Sequence, residues 1–573
     1  LKAALRPTIL SGTIRDAYTD QPIEGALVKA SETISATTDA SGRYELEGVP
    51  EAYQISVSAP GHEETRADIR RTTEQNIALR PTILRGMVTD AYSSKPVAGV
   101  DVTLGESRAT TDAEGHFTLE DTPPDGELIF AREGYDEVRM PLERTTTLDV
   151  VMRPNVLEGV VRDAVSGAVL SDTLVIATPT YTGTAVASAR TDRDGRYRLE
   201  HVPEGAFLKA LHPGYRRGEV EVTAGGLTDD LKLQPFAARA IYVKANVAQS
   251  RDNVRAYLDI IDRTETNALV LDLKSDNLED VGLIYYQSNV PLIRELGTSV
   301  NKMDLPWILA EAKKRNIYMI ARIHVFAHDN ALLKVRPEWY VQNTKTGKPW
   351  FADFGIAWLD TYEENVWDYN IQLALEAAQL GFDEIQFDYI RFPSDGNLTN
   401  ARFKGPRDWK NNPAEMYDTI GRFMQRAQKA INDAGAYFSV DVFGYAAWTP
   451  QARIGQNLQV MGKYADYVCP MVYPSHFLYG ELGLGNPSLH PFELVAHSMK
   501  QVKGQLQGEA SRTGVRPWLQ DFTLIWVPKH LIVEYGPKEV RAQIDAAEQN
   551  GATGWSLWDS DNRYTVEALK GPE

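Results

Sequence analysis

The sequence predicts three small all-β sandwiches followed by one α/β barrel of eight strands, and three observations carry that reading. A motif recurs at intervals of 74 and then 73 residues within the first 234 positions. After Gln234-Pro235 the texture changes to short apolar strands alternating with amphipathic helical patterns. Within that second half, residues 361–393 read helix, glycine, strand, carboxylate, and the C-terminal end of a strand is where barrels of this kind keep reactive groups. At 573 residues the chain is too long for one core. The expected domains are 7–80, 81–153, 154–234 and 235–573.

The repeats come first. Thr8-Ile9-Leu10-Ser11-Gly12 recurs as Thr82-Ile83-Leu84-Arg85-Gly86 and as Asn155-Val156-Leu157-Glu158-Gly159. Each copy then carries a second landmark, Thr38-Asp39 with Gly42, Thr111-Asp112 with Gly115, and Thr191-Asp192 with Gly195. An Asp followed three residues later by Gly between alternating strands is a hairpin turn. The third landmark is Gly61-His62, Gly134-Tyr135 and Gly214-Tyr215. Short alternating strands at this spacing predict a β-sandwich in each copy. The third copy carries an inserted loop at Thr178 to Thr184. The D-x-D-x-D-G density of a calcium loop is absent, so the repeated Asp reads as a turn residue. All 11 Trp residues lie at or beyond Trp307, which disfavours sugar-stacking faces on the sandwiches. These landmarks, in this order three times, resemble the carboxypeptidase-regulatory-like (transthyretin-like) family. That resemblance implies spacer or interaction modules without catalysis of their own.

In the second half, strands are predicted at 240–247, 268–274, 317–326, 383–388, 437–443, 467–473, 516–521 and 554–559. Helical patterns fall at 304–315, 364–380, 414–434, 453–463, 491–507 and 537–550. The 364–380 pattern follows a capping box at Thr361-Tyr362-Glu363-Glu364 and closes on Gly381. No glycine-rich phosphate loop follows the first strand, so a closed barrel is favoured over an open doubly wound sheet.

The strand ends carry the chemistry. Strand two ends on Asp272 and Lys274, strand three on Arg322 and His324, strand four on Asp388 and strand five on Asp441. Strand six reaches Tyr473 with His476 beyond it, strand seven reaches Asp521, and strand eight reaches Trp558 and Asp559. Burying so many ionisable groups is costly without a use for them. Trp358 and Trp448 are predicted as apolar walls. A pair of carboxyl groups on adjacent strands suits glycosidic cleavage, in which one is ionised and the other protonated. Asp388 and Asp441 fit best, with Asp272 or Asp521 as other proton donors. Asp360 reads as a residue at the start of a helix. A metal held by Asp272, His324 and Asp388 lacks the ligand spacing of known motifs, and no metal or other cofactor is expected.

Three elements carry a second resemblance: Trp358-Leu359-Asp360, Gly381 through Pro393, and Ser439 through Gly444. They resemble glycoside-hydrolase barrels distantly akin to the α-amylase clan, and most closely a glycoside hydrolase domain family of unknown function, over about 235–573. The resemblance implies a TIM barrel with Asp388 as the strand-four nucleophile. Two departures stand out. The clan has an Arg two residues before that Asp where this chain has Gln386, so a charge partner is expected from Arg391 or Arg322. The clan's strand-five acid is a Glu, and the counterpart here is Asp441. The segment also looks like a chitinase motif, but Ile390 stands where a chitinase needs its catalytic Glu.

The expected function is therefore a retaining glycosidase cleaving a polysaccharide or oligosaccharide, with Asp388 as nucleophile and Asp441 as acid/base. The competing expectation is a carbohydrate-binding or envelope scaffold with an inactive barrel. A net charge of −18 argues against nucleic acid as a partner. The lone Cys469 excludes an intramolecular disulfide. No apolar run reaches the roughly 18 residues of a membrane span. The domain types suggest an extracellular or envelope location, and the start at Leu1 rather than Met suggests a removed leader or a trimmed chain.

Overall fold

A computed structural model describes residues 8–222, 230–406 and 408–572. They form two compact units, one containing the first two sandwiches and the other the third sandwich with the barrel.

Each sandwich pairs a three-stranded with a four-stranded sheet in the same order. In the first copy Ile9–Asp16 lies between Arg43–Glu47, antiparallel, and Ile77–Leu79, parallel. The second sheet runs Ser35–Thr37, Leu27–Lys29, Ala52–Ser58, Thr65–Arg70. The alternation of Leu10, Ile14, Val28, Leu46, Ile55 and Val57 puts these side chains in a shared core. The glycine of the first landmark has a steric reason. A Cβ at Gly12 would stand 1.9 Å from the Gln75 carbonyl oxygen, and at Gly86 1.7 Å from that of Leu148, because the closing segment of these two sandwiches passes directly over it.

The other two landmarks also have physical roles. Asp39 Oδ1 accepts from the Ser41 and Arg43 amides, and Asp112 and Asp192 repeat the arrangement. The Asp that ends the first strand meets the third landmark across the fold. Asp16 accepts from the Tyr18 and Thr19 amides and contacts His62 Nε2 at 3.0 Å. Asp90 likewise accepts from Tyr135 Oη at 3.0 Å, and Asp163 from Tyr215 Oη at 2.8 Å. One carboxylate in each repeat thus fixes both a turn and a distant loop.

The barrel strands, labelled here apart from the sandwiches, are β1 Ala238–Val243, β2 Ala268–Asp272, β3 Tyr318–His324, β4 Glu384–Asp388, β5 Tyr437–Val442, β6 Tyr467–Pro470, β7 in two pieces (Gly514–Val515 and Trp518–Gln520), and β8 Gly554–Trp558. All pair in parallel, and β8 pairs with β1, which closes the ring. The predicted strand 516–521 is divided at Arg516-Pro517, since Pro517 has no N–H to continue a ladder. Its first piece pairs with β6 and its second with β8. The intervening helices include α1 Arg251–Arg263, α2 Leu305–Lys314, α3 Glu364–Leu380, α4 Pro413–Asp433, α5 Leu458–Met461, α6 Pro491–Gln505 and α7 Pro537–Gln549.

Three local expectations are corrected. The first strand stops at Val243 and the chain turns into a short helix at Ala245–Ala248. The predicted helix 453–463 is reduced to α5. The N-cap of α3 is Glu363, which accepts from the Asn365 amide, rather than Thr361.

Strand residues alternate between two cores. Leu269, Leu271, Ile323, Ile385, Phe387, Phe438 and Val440 face the helices, while Ala240, Tyr242, Val270, Ile320, Tyr437, Cys469 and Trp518 fill the lumen. The lumen core continues into the third sandwich through Leu211 and Leu174. Tyr437 Oη accepts from the His212 amide and Tyr467 Oη from the Gly214 amide. The carbonyls past the C-terminal end of α4 are also met from the sandwich, Gly435 by Arg217 and Ala434 by Lys209. The Ala185 amide, just past the inserted loop, donates to the Asp433 carbonyl at 2.7 Å. The third sandwich therefore floors the barrel at the N-terminal ends of its strands.

Candidate active site

The register of the sheet builds the site. Arg322 pairs with Gln386 and with Asp272 across the β3 ladders, and Phe387 pairs with Val440. Asp388 and Asp441 are therefore the next step of the β4–β5 ladder, on strands about 4.7–4.9 Å apart. Both point into the lumen, as period-two alternation from Gln386 and Ser439 requires.

Arg322 organises the cluster. It donates from Nη1 to Asp272 Oδ1 at 2.7 Å, from Nη2 to Asp388 Oδ2, and from Nε to Asp441 Oδ2 at 3.3 Å. It supplies the cation that Gln386 does not, from the same layer one strand away. Trp518 Nε1 donates to Asp441 Oδ1 at 2.7 Å, and Tyr242 Oη donates to Asp272. Asp441 is fully buried, and desolvation together with the anionic Asp388 drives its pKa well above the carboxylate range, against the pull of Arg322 and Trp518. Burial raises Asp272 to about 6, opposed by Arg322. The same carboxylates, above all Asp272 and Asp388, hold Arg322 firmly protonated despite its burial.

Asp388 and Asp441 open onto a cavity of about 270 Å³. Its walls include Tyr445, Tyr473, Phe477, Trp518 and Trp558, with Arg391 and His476 as further polar groups. Tyr473 and Trp558 stack with centroids 5.4 Å apart. Gln456 Oε1 accepts from the Phe443 amide and its Nε2 donates to the Ile390 carbonyl, tying the loops after β5 and β4 together. Beside the cavity, Tyr389 takes φ 56° and its amide donates to Asp388 Oδ1 at 2.5 Å. A bulky residue in the left-handed region is strained, and such strain clusters at functional sites. The Tyr389 ring is held against His328 at 4.6 Å.

Of the residues singled out from sequence, the structure gathers Asp388, Asp441, Arg322, Arg391, Tyr473, His476 and Trp558 around this cavity. Asp272 and His324 lie behind it, both bonded to Arg322. The others serve the scaffold. Lys274 is enclosed, donating to Asp329, Asn370 and the His324 carbonyl. Asp521 accepts from the Thr565 amide and hydroxyl, and Asp559 from the Asp561 and Arg563 amides. Trp358 is buried beneath Arg391, and Trp448 stands behind Phe477 with its Nε1 on Ser498. Asp360 accepts from the Tyr362 and Lys404 amides, as a loop-holding residue does. Trp518, Tyr389, Tyr445, Phe477 and Gln456 are site residues that the sequence reading missed. The alternation of Trp518 with Gln520 was a usable signal for the first. Among the described residues, no cluster of His, Cys, Asp and Glu is arranged to hold a metal ion, and no helix is long and apolar enough to cross a membrane.

Residues 240–564 match the family DUF4015, described as "Putative glycosyl hydrolase domain". This chain belongs to that family. Residues 9–80, 83–153 and 156–234 match the carboxypeptidase regulatory-like domain. Among solved structures, a hypothetical protein from Ruminiclostridium thermocellum ATCC 27405 is 33% identical, with 35% of this chain and 97% of that one covered and a TM-score of 0.31. The glycoside hydrolase domain of PgaB (BpsB) from Bordetella bronchiseptica is 15% identical, covering 57% and 95%, with a TM-score of 0.42. That of PelA from Pseudomonas aeruginosa is 8% identical, covering 58% and 97%, with a TM-score of 0.32. No curated protein matches the chain. The residues around the cavity lie within the span of the DUF4015 match.

Proposed function

We propose that this DUF4015 barrel hydrolyses glycosidic bonds of a polysaccharide or oligosaccharide with retention of configuration. The observation that carries the reading is the arrangement of Asp388 and Asp441 on neighbouring strands, joined by Arg322, at an aromatic-walled cavity. Asp388 is the nucleophile. Its carboxylate accepts from Arg322 and from the Tyr389 amide, which hold it in place, and it attacks the anomeric carbon. Asp441 carries the proton, since burial and Asp388 both oppose its ionisation. It protonates the leaving oxygen, then takes a proton from the water that releases the sugar.

Retention is supported by how the two carboxylates are held. Asp441 accepts from Nε and Asp388 from Nη2 of one guanidinium, a shared edge that keeps them close. This suits the roughly 5–5.5 Å separation of retaining enzymes better than the ~6.5–9.5 Å of inverting ones. The stacked pair Tyr473 and Trp558 gives the cavity an aromatic wall for a sugar to pack against. Asp272 and Asp521 are weaker proton donors because neither lines the cavity.

The test is hydrolysis of a polysaccharide panel, followed by detection of new reducing ends. Wild type releases them from at least one member and Asp388→Asn does not. Equal release by the variant removes Asp388 from the reaction. No release from any member by wild type favours the inactive scaffold instead.

A further inference from the structure

Two guanidinium groups line the cavity, and the protein treats them oppositely. Arg322 is matched by three carboxylates. Deeper in the lumen, Arg516 is matched by Glu384 at 2.7 Å. Arg391 has no such partner among the described residues. Its hydrogen bonds are from Nη1 alone, to the Phe392 carbonyl and Ser394 Oγ, each at 3.2 Å. Its guanidinium lies over the rings of Trp358, at 5.0 Å, and Tyr389, at 5.4 Å. Asp388 and Asp395 act on it only at longer range, and burial lowers its pKa, whereas the carboxylates around Arg322 and Arg516 raise theirs.

We propose that Arg391 is a specificity-determining residue that pairs with an anionic substituent of the substrate, a carboxylate or a sulfate ester, so that the barrel acts on an acidic polysaccharide. The proposal rests on the carbohydrate reading of the same cavity. Two aromatic rings flank the guanidinium, and its Nε and Nη2 edge makes no hydrogen bond to the described residues. That fork is pre-organised for a two-oxygen anion and loses little entropy on binding it. Arg391 is partly exposed at the cavity, and a substrate that covers it must supply a counter-ion to offset the desolvation of the cation. Arg391 and Asp388 line the same cavity, so the bound anion sits on the sugar at Asp388 or on its neighbour. Arg391 there offsets the repulsion that the Asp388 carboxylate exerts on an acidic chain.

The experiment measures binding to the full chain carrying Asp388→Asn, by calorimetry, with matched oligosaccharide pairs. The pairs are galacturonate, glucuronate and mannuronate oligomers, each against its carboxyl-reduced form, and a sulfated galactan oligomer against its desulfated form. We expect one acidic member to bind about tenfold or more tightly than its neutral counterpart. Adding Arg391→Gln erases that preference, Arg391→Lys restores part of it, and salt weakens it. Whether the carboxylate or the sulfate pair shows the preference identifies the anion. No acidic preference in any pair, or one that survives Arg391→Gln, overturns the proposal. Hydrolysis by wild type without acidic preference would remove this inference and leave the hydrolase reading. Acidic preference without hydrolysis would do the reverse.

Discussion

Arg322 and Gln386 are register partners on β3 and β4, and the cation of the site stands on the first of these strands although the nucleophile candidate is on the second. Its guanidinium neutralises Asp388 from the side. Replacing Arg322 by Met leaves Asp272, Asp388 and Asp441 buried around an apolar side chain. Breaking a buried ion pair in this way costs about 3–5 kcal/mol. Urea unfolding of Arg322→Met is expected to show a loss of that order, together with loss of hydrolysis. A variant of unchanged midpoint and slope would show that the cluster is not coupled through Arg322.

Asp441 sets an expected pH profile. Its pKa is raised by burial and by Asp388, so the acid form is lost as pH rises through that value, giving a falling alkaline limb in kcat/KM. The Trp518 indole N–H opposes the rise by stabilising the carboxylate. Trp518→Phe is expected to move the alkaline limb to higher pH. A limb that stays fixed or moves down would assign it to another group.

Asp272 gives a stability counterpart of opposite sense to ordinary acid denaturation. Its folded pKa, raised from 3.8 to about 6, means that the native state binds the proton more tightly than the unfolded chain. Its contribution to stability is fully present below the unfolded value and is lost as pH rises through about 6. Measured against Asp272→Asn, the unfolding free energy of the wild type should therefore fall between about pH 4 and 6. A relative rise over that range would reverse the assignment.

The third sandwich is expected to behave as part of the barrel. Leu211 is buried within the lumen core, and a charge there is left without a partner. Leu211→Asp should lower the stability of the barrel by about 2–3 kcal/mol or more. Removing residues 1–153, which leaves the third repeat whole, should leave barrel unfolding unchanged. Thermal melts of the two variants check both statements, and a tolerated Leu211→Asp would show the floor to be dispensable.

Much of this was readable in advance, for definite reasons. Strand positions followed from apolar runs set between helical patterns, and Asp388 and Asp441 were conspicuous because each interrupts such a run near its end. The division of β7 was written in Pro517, yet its consequence, Trp518 turned toward Asp441, needed the closed ring. Tryptophan alone was misleading. Trp358 and Trp448 have the same composition signal as Trp558, and only packing shows that the first two support Arg391 and Phe477 while the third faces the cavity. Lys274 and Asp521 ended strands as active-site residues do, but their partners Asp329 and Thr565 lie 55 and 44 residues away. No local pattern announces such pairs. The meeting of Asp16 with His62, repeated twice, was hidden for the same reason.

The central claim is that Asp388 attacks the anomeric carbon while Asp441 moves the proton. The most direct measurement follows the anomer first released from a cleaved substrate by proton NMR, before mutarotation mixes the forms. The account predicts that the new reducing end has the configuration of the bond that was cut. An inverted product would contradict it, because Asp388 would then be activating water rather than forming a glycosyl–enzyme bond.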